Sequence, residues 1–255
     1  MQHQSLSTYI SLLAGSAIAL STASAQAASF TAQDAVNAGC VGQTNCTVSG
    51  FTLDVTKAGV DNPEITAKTE GGIQGLGIAR DASNLSFTDP NGDPSGGEID
   101  LDEAFRVTFP AATILEQLQL STLYQPGVFG DEVFEAAQIT ALDALGNLTA
   151  TVATLTVQGD ALAISTGGTV ANISPSVEGS GGSYLISDLF GNLEIGGFVL
   201  EAFSQTAGDG STPSSFRNSD FTLTAVKTAD VPEPGSVAAL LGMGLLGLLA
   251  RRRSR

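Results

Sequence analysis

Phe105-Arg106-Val107-Thr108-Phe109 alternates large apolar residues with polar ones, and Gln117-Leu118-Gln119-Leu120-Ser121-Thr122 repeats the pattern a few residues on. A period of two places alternate side chains on opposite faces of an extended chain, one face buried and one wet. Working outward, Phe51, Leu53 and Val55 alternate with Thr52 and Asp54, and Phe221, Leu223 and Ala225 alternate with Thr222 and Thr224. Further runs rich in Thr, Val, Ile and Phe, residues that fit a pleated surface, cover 150–157, 169–173, 184–189 and 197–203. Clusters of Gly, Asn, Asp, Ser and Pro separate these runs, as in Asp89-Pro90-Asn91-Gly92-Asp93-Pro94. Many short strands with regular turns predict an all-β body, a β-sandwich or jelly-roll-like fold. Residues 132–145 are rich in Ala and Leu and could form a helix, but Gln138-Ile139-Thr140 and its surroundings favour strand. No repeat of fixed period and no clear linker interrupt residues 28–230, which are read as one domain.

Charge and composition narrow the chemistry of that domain. The 255 residues include 26 acids and 10 Lys and Arg, a formal charge of −16. Four of the bases, Arg251, Arg252, Arg253 and Arg255, sit at the C-terminus. Residues 28–230 alone hold 25 acids and 6 bases, a net charge of −19. Such a body cannot replace the counterions of a nucleic acid, so nucleic-acid binding is excluded. Docking on anionic membranes is disfavoured for the same reason. The chain has no Trp, its only His is His3, and its Met residues are Met1 and Met243. Without His the body cannot build a Ser-His-Asp or Cys-His nucleophilic site, nor a His-ligated zinc or iron site. No P-loop is present, and the glycines of Gly71-Gly72-Ile73-Gln74-Gly75-Leu76-Gly77 read as flexible strand edges. The body is expected to be no enzyme.

The two ends of the chain carry a different message. Residues 10–20 (ISLLAGSAIAL) are an apolar run too short to cross a bilayer, which takes about 20 residues. Ala23-Ser24-Ala25 and Ala25-Gln26-Ala27 follow it, each an A-x-A cleavage pattern, so residues 1–27 read as a secretory signal peptide. The first nine residues lack the Lys or Arg that such peptides usually carry.

At the other end, Val231-Pro232-Glu233-Pro234-Gly235-Ser236 precedes the apolar run 237–250 (VAALLGMGLLGLLA) and then Arg251-Arg252-Arg253. Fourteen residues of helix reach roughly 21 Å, short of the roughly 30 Å hydrocarbon core, but Gly235, Ser236 and snorkelling arginines can extend the span. The three arginines act as a membrane stop that keeps the tail on the cytoplasmic side, with the acidic body outside. The prolines stop the helix upstream and leave the stretch extended and open to a protease.

This tripartite tail resembles the PEP-CTERM sorting signal of Gram-negative bacteria: Pro-Glu-Pro, a short apolar helix, then a basic cluster. The resemblance covers residues 231–255. It implies recognition by an exosortase, a membrane-embedded protease or transpeptidase, near Pro232, Glu233 and Pro234. It also implies an association with exopolysaccharide and biofilm matrix. An uncleaved C-terminal anchor would explain the apolar run and the arginines but not the Pro-Glu-Pro.

Two features of the body bear on chemistry. Cys40 and Cys46 are separated by five residues, and an exported chain with two cysteines is expected to join them. The loop is small, so the chain-entropy model gives the disulfide about 2 kcal/mol. Asp89, Asn91 and Asp93 set oxygens at alternate positions, with Glu98, Asp100, Asp102 and Glu103 following and no base between Arg80 and Arg106. Asp89, Asn91, Asp93, Asp100 and Asp102 are a candidate calcium site, since calcium takes six to eight oxygens. The run departs from an EF-hand, with Pro94 where Gly is needed and Asp100 where a bidentate Glu is needed. An ordinary turn followed by a solvated strand face explains the same residues.

The expectation is therefore an exported, non-catalytic protein of the cell surface, envelope or extracellular matrix. It is transiently anchored in the inner membrane and has exosortase and possible exopolysaccharide as partners. A calcium-dependent carbohydrate-binding module on the same tail is the alternative. No cofactor is expected beyond the calcium ion.

Overall fold

The computed structural model describes residues 27–79, 97–100, 103–125, 134–158, 161–174, 182–203 and 219–230. The expected signal peptide and the expected membrane helix at 237–250 lie outside these, except for Ala27. The described chain is all-β, as the alternation requires. Its strands are β1 (Ser29–Thr31), β2 (Asn45–Val48), β3 (Phe51–Lys57), β4 (Ile65–Glu70), β5 (Ile73–Ile78), β6 (Glu103–Ser121) and β7 (Ala136–Leu142). They continue with β8 (Leu148–Gln158), β9 (Ala161–Ile164), β10 (Thr169–Asn172), β11 (Tyr184–Ser187), β12 (Glu194–Ala202) and β13 (Thr222–Thr228). One short helix, α1 (Ala32–Asn37), follows β1. All thirteen strands join one hydrogen-bonded network.

The two alternating stretches around Phe105 and Leu118 belong to a single 19-residue strand, β6. Its buried residues are odd-numbered from Phe105 to Leu115 and even-numbered at Leu118 and Leu120. The parity switches because Glu116 is an extra residue: β13 steps from Lys227 opposite Gln117 to Thr228 opposite Leu115. An inserted residue of this kind is a β-bulge, which bends and twists the strand. A larger break precedes it. β12 steps from Gly197 opposite Thr108 to Ile195 opposite Thr113, so residues 109–112 of β6 leave the ladder. Pro110, which has no N–H to donate, falls in that gap and costs no ladder bond. Gly197 is required there. Its φ is +151°, and a Cβ on it would sit 2.2 Å from the Val107 carbonyl oxygen.

This bend divides β6 into two limbs. The first limb, up to Thr108, pairs with β3 and with β12, which in turn carries β7, β8 and β9. The second limb, from Leu115, pairs with β13 and with β11. β13 also holds β1 and β5, and β5 holds the edge strand β4. Strands from both limbs line one core. Phe30 of β1 meets Phe51 of β3 edge-to-face at 5.0 Å, Phe51 meets Phe109 at 5.7 Å, and Phe109 meets Phe198 at 5.9 Å. Edge-to-face pairs of this kind add to the burial energy of the rings.

Residues 136–142 form strand β7, as Gln138-Ile139-Thr140 indicated. The glycines at 71–77 are not strand edges throughout. Gly75 and Gly77 are buried inside β5, where a Cβ on Gly75 would lie 2.0 Å from Thr222 Oγ1. They are small because the Thr222 side chain lies close over Gly75 and the Gly97 backbone close over Gly77, not for flexibility. Helix α1 was not expected. It begins with a capping box in which Thr31 and Asp34 bond each other's backbone N–H, visible in the sequence as Thr-x-x-Asp.

Pairing directions sort the connections into two ends. At the bend of β6 lie the Ser49-Gly50 turn, the 143–147 turn, the 188–193 connection and both ends of the described body. At the opposite end lie the residues flanking each gap in the described chain. Their backbones bond one another: Leu123 to Gly182, Glu135 to Tyr124, Phe203 to Ala136 and Ile99 to Phe221.

Candidate functional site

The place where the body hands over to its C-terminal tail is built from four adjacent strands. β13 ends with the Thr228 N–H donating to the Ala28 carbonyl at 2.9 Å, while Thr228 Oγ1 donates to the same oxygen at 3.2 Å. One residue on, the Ala229 N–H donates to the Ile114 carbonyl at 2.9 Å, and Thr113 Oγ1 donates to the Ala229 carbonyl at 3.2 Å. Thr113 and Ile114 lie opposite Ile195 and Glu194 of β12. Lys227 reaches Glu116 at 2.7 Å, and that bond holds its ammonium above the ordinary lysine range. The chain is thus fixed by sheet bonds up to Ala229, and the described body stops at Asp230, two residues before Pro232. Pro232, Glu233, Pro234, Arg251, Arg252 and Arg253 lie outside the described residues.

Residues 230–253 match the family model for the PEP-CTERM protein-sorting motif. The chain carries a PEP-CTERM sorting signal. This PEP-CTERM protein is therefore an exported substrate of exosortase, sorted by way of the membrane. Comparison with curated proteins and with solved structures returns no match.

Cys40 and Cys46 are joined, with Cα atoms 5.3 Å apart. The bridge links the loop after α1 to β2, and Cys40 is buried.

Of the candidate calcium ligands, Asp89, Asn91, Asp93 and Asp102 lie outside the described residues, and Asp100 lies within them. The acids flanking Asp100 are engaged elsewhere. Glu98 is buried and accepts from Lys68 of β4 at 2.9 Å. Glu103 is buried and accepts from Lys57 of β3 at 2.5 Å, and its second oxygen accepts from the Asp100 N–H at 2.9 Å. Burial holds the Glu103 carboxyl above its usual range, against the opposing pull of the Asp100 N–H and of Lys57. Among the described residues, no group of three acidic, Cys or His side chains is arranged to hold a metal ion.

The sequence holds no base between Arg80 and Arg106, yet Lys57 and Lys68 supply the missing charge from neighbouring strands. These are two of the three lysines in the body, each on a strand that pairs near the acidic run. Near them, burial pushes the Tyr124 hydroxyl well above its usual range, with Glu70, Glu98, Glu135 and Asp220 adding to it. Glu135 itself accepts from the Tyr124 N–H.

Proposed function

We propose that this PEP-CTERM protein is a non-catalytic component of the cell surface or extracellular matrix, with a jelly-roll-like β-sandwich body that associates with exopolysaccharide. One observation carries the reading. A PEP-CTERM sorting motif at residues 230–253 follows directly in sequence on a β-body whose first and last strands pair with each other at one end. The bend of β6 supports the sandwich reading, since its two limbs present their apolar faces to the same ring chain of Phe30, Phe51, Phe109 and Phe198.

The chemistry of the surface fits adhesion better than turnover. The body has no His, so proton transfer near neutral pH falls to carboxylates or amines with strongly shifted pKa values. The two lysines near the acidic run, Lys57 and Lys68, are occupied in ion pairs. Thr47, Thr52, Thr69 and Thr169 stand exposed on strands and can bond polysaccharide hydroxyls through many weak contacts. The acidic body repels acidic polymers at low salt, and calcium, at Asp89 to Asp102 or between the two partners, relieves that repulsion.

Co-sedimentation of the mature protein with the producer's own exopolysaccharide tests the reading. Binding that strengthens with calcium is the expected result. Turnover of a defined glycan that disappears on replacing one carboxylate overturns it.

A further inference from the structure

The turn between β7 and β8 is held rigidly, and its leucines stand largely exposed among the described residues. Asp143 Oδ1 accepts from the Leu145 N–H and from the Asn147 N–H, both at 2.8 Å. The Arg106 guanidinium donates to the Gly146 carbonyl, and Gly146 takes the left-handed conformation at φ +83°. Leu145 at the tip of this fixed turn is 86% exposed, and Leu148 at the start of β8 is 65% exposed. Polar residues serve a tight turn equally well. Leu193, on the neighbouring 188–193 connection, is also exposed.

These leucines share an end of the body with Ala229, next to the last described residue. Ala229 bonds to Ile114, Ile114 lies opposite Glu194, and a Cβ on Gly196 would touch the Asp143 carbonyl. Ala229 and Ala144 are thus three strand spacings apart, about 14 Å. From Asp230 to Val237, where the apolar run starts, the chain spans at most about 25 Å even when fully extended. While that run is inserted, the tether keeps Ala144 within about 40 Å of the start of the run, which lets this end of the body reach lipid.

We propose that this end of the body rests on the lipid surface before exosortase acts, with Leu145, Leu148 and Leu193 dipping into the headgroup layer. The proposal builds on the reading of 237–250 as a membrane anchor. The facing charges select the kind of surface. Asp143, Glu194 and Asp230 are acidic, Arg106 is turned into the hairpin, and Lys227 is paired with Glu116. A zwitterionic surface suits this end and an anionic one does not. Resting there fixes the orientation of the body and holds Pro232, Glu233 and Pro234 close to the membrane, where an embedded protease works.

The chain has no Trp, so one introduced Trp reports its own surroundings. The full chain bearing Leu145→Trp, and separately Leu193→Trp, is placed in phosphatidylcholine vesicles with brominated acyl chains. Vesicle flotation and far-UV circular dichroism are measured alongside. Val41→Trp, an exposed position at the opposite end, serves as the reference. The expected result is flotation of all three variants, with blue-shifted and several-fold quenched emission at 145 and 193 only. Flotation with emission at 145 and 193 matching that at 41 overturns the proposal and leaves the anchor standing. Failure to float overturns the anchor and the proposal with it. A concentration-dependent blue shift without lipid means that the leucines pair two copies of the chain, which also overturns it.

Discussion

The Thr228 N–H donates to the Ala28 carbonyl at 2.9 Å, joining two residues 200 positions apart. β1 is only three residues long, yet it lies antiparallel on β13, with Phe30 opposite Val226. The first residues after the expected signal peptide are thus part of the same sheet as the last residues before the sorting signal. The sheet is therefore complete only when both ends of the body are in place.

Phe30→Ala tests the weight of that contact. Phe30 is fully buried and begins the chain of rings linking the two limbs. Its truncation should cost about 3–5 kcal/mol, as for other large-to-small changes in a core. Urea denaturation of the mature body measures it. A loss below about 1 kcal/mol would mean that β1 adds little to the sheet.

Lys68→Met should destabilise the body by about 3 kcal/mol, because it leaves the buried Glu98 without its lysine. Adding Glu98→Gln should recover most of the loss, since the remaining group is neutral. Melting temperatures of the single and double variants give the comparison. Equal destabilisation in both would show that the ion pair is not the cause.

Glu103 sets a pH dependence of definite sign. Burial raises its folded pKa above the ordinary 4.5, so the folded state prefers the protonated form. That contribution is full below the unfolded value and is lost as pH rises through the folded one. Glu103→Gln should therefore be at least as stable as the wild type at pH 7. Its advantage should vanish as the pH is lowered through about 4.5. Asp34 and Asp143 act in the opposite direction. Hydrogen bonds from Thr31 and from Asn147 lower their pKa values, and what they contribute is lost as pH falls through those values. Denaturation midpoints of wild type and Glu103→Gln across pH 3–8 separate the two effects.

Cys40→Ala with Cys46→Ala should cost about 2 kcal/mol or somewhat more, the loop-closure term plus any loss of packing at the buried Cys40. Equilibrium unfolding of the double variant beside the oxidised parent measures the difference. A cost near zero would mean that the β2 hairpin is held by its ladder alone.

What could be read from the chain before its structure was local. Alternation at Phe105, Val107 and Phe109 reports strand directly, because it depends only on neighbouring residues. The opposite parity of Leu118 and Leu120 was equally visible, but two strands and one bulged strand yield the same pattern. Only the pairing of Thr228 with Leu115 distinguishes them. Gly75 and Gly77 looked like flexible points because nothing local shows that Thr222 and Gly97 come close above them. The acidic run looked uncompensated because Lys57 and Lys68 are remote in sequence and adjacent only through β3 and β4. The sorting signal was the most legible feature, since its three parts follow one another in sequence and can be recognised without any tertiary contact.

Intact mass of the mature protein, recovered from cells that carry an exosortase, tests the central claim most directly. The expected product begins within 26–28 and ends near Pro232, Glu233 and Pro234, without residues 237–255. Replacing those three residues with Ala should leave the tail uncut. A mature protein that retains Arg255, or a mass unchanged by the triple replacement, would contradict the account.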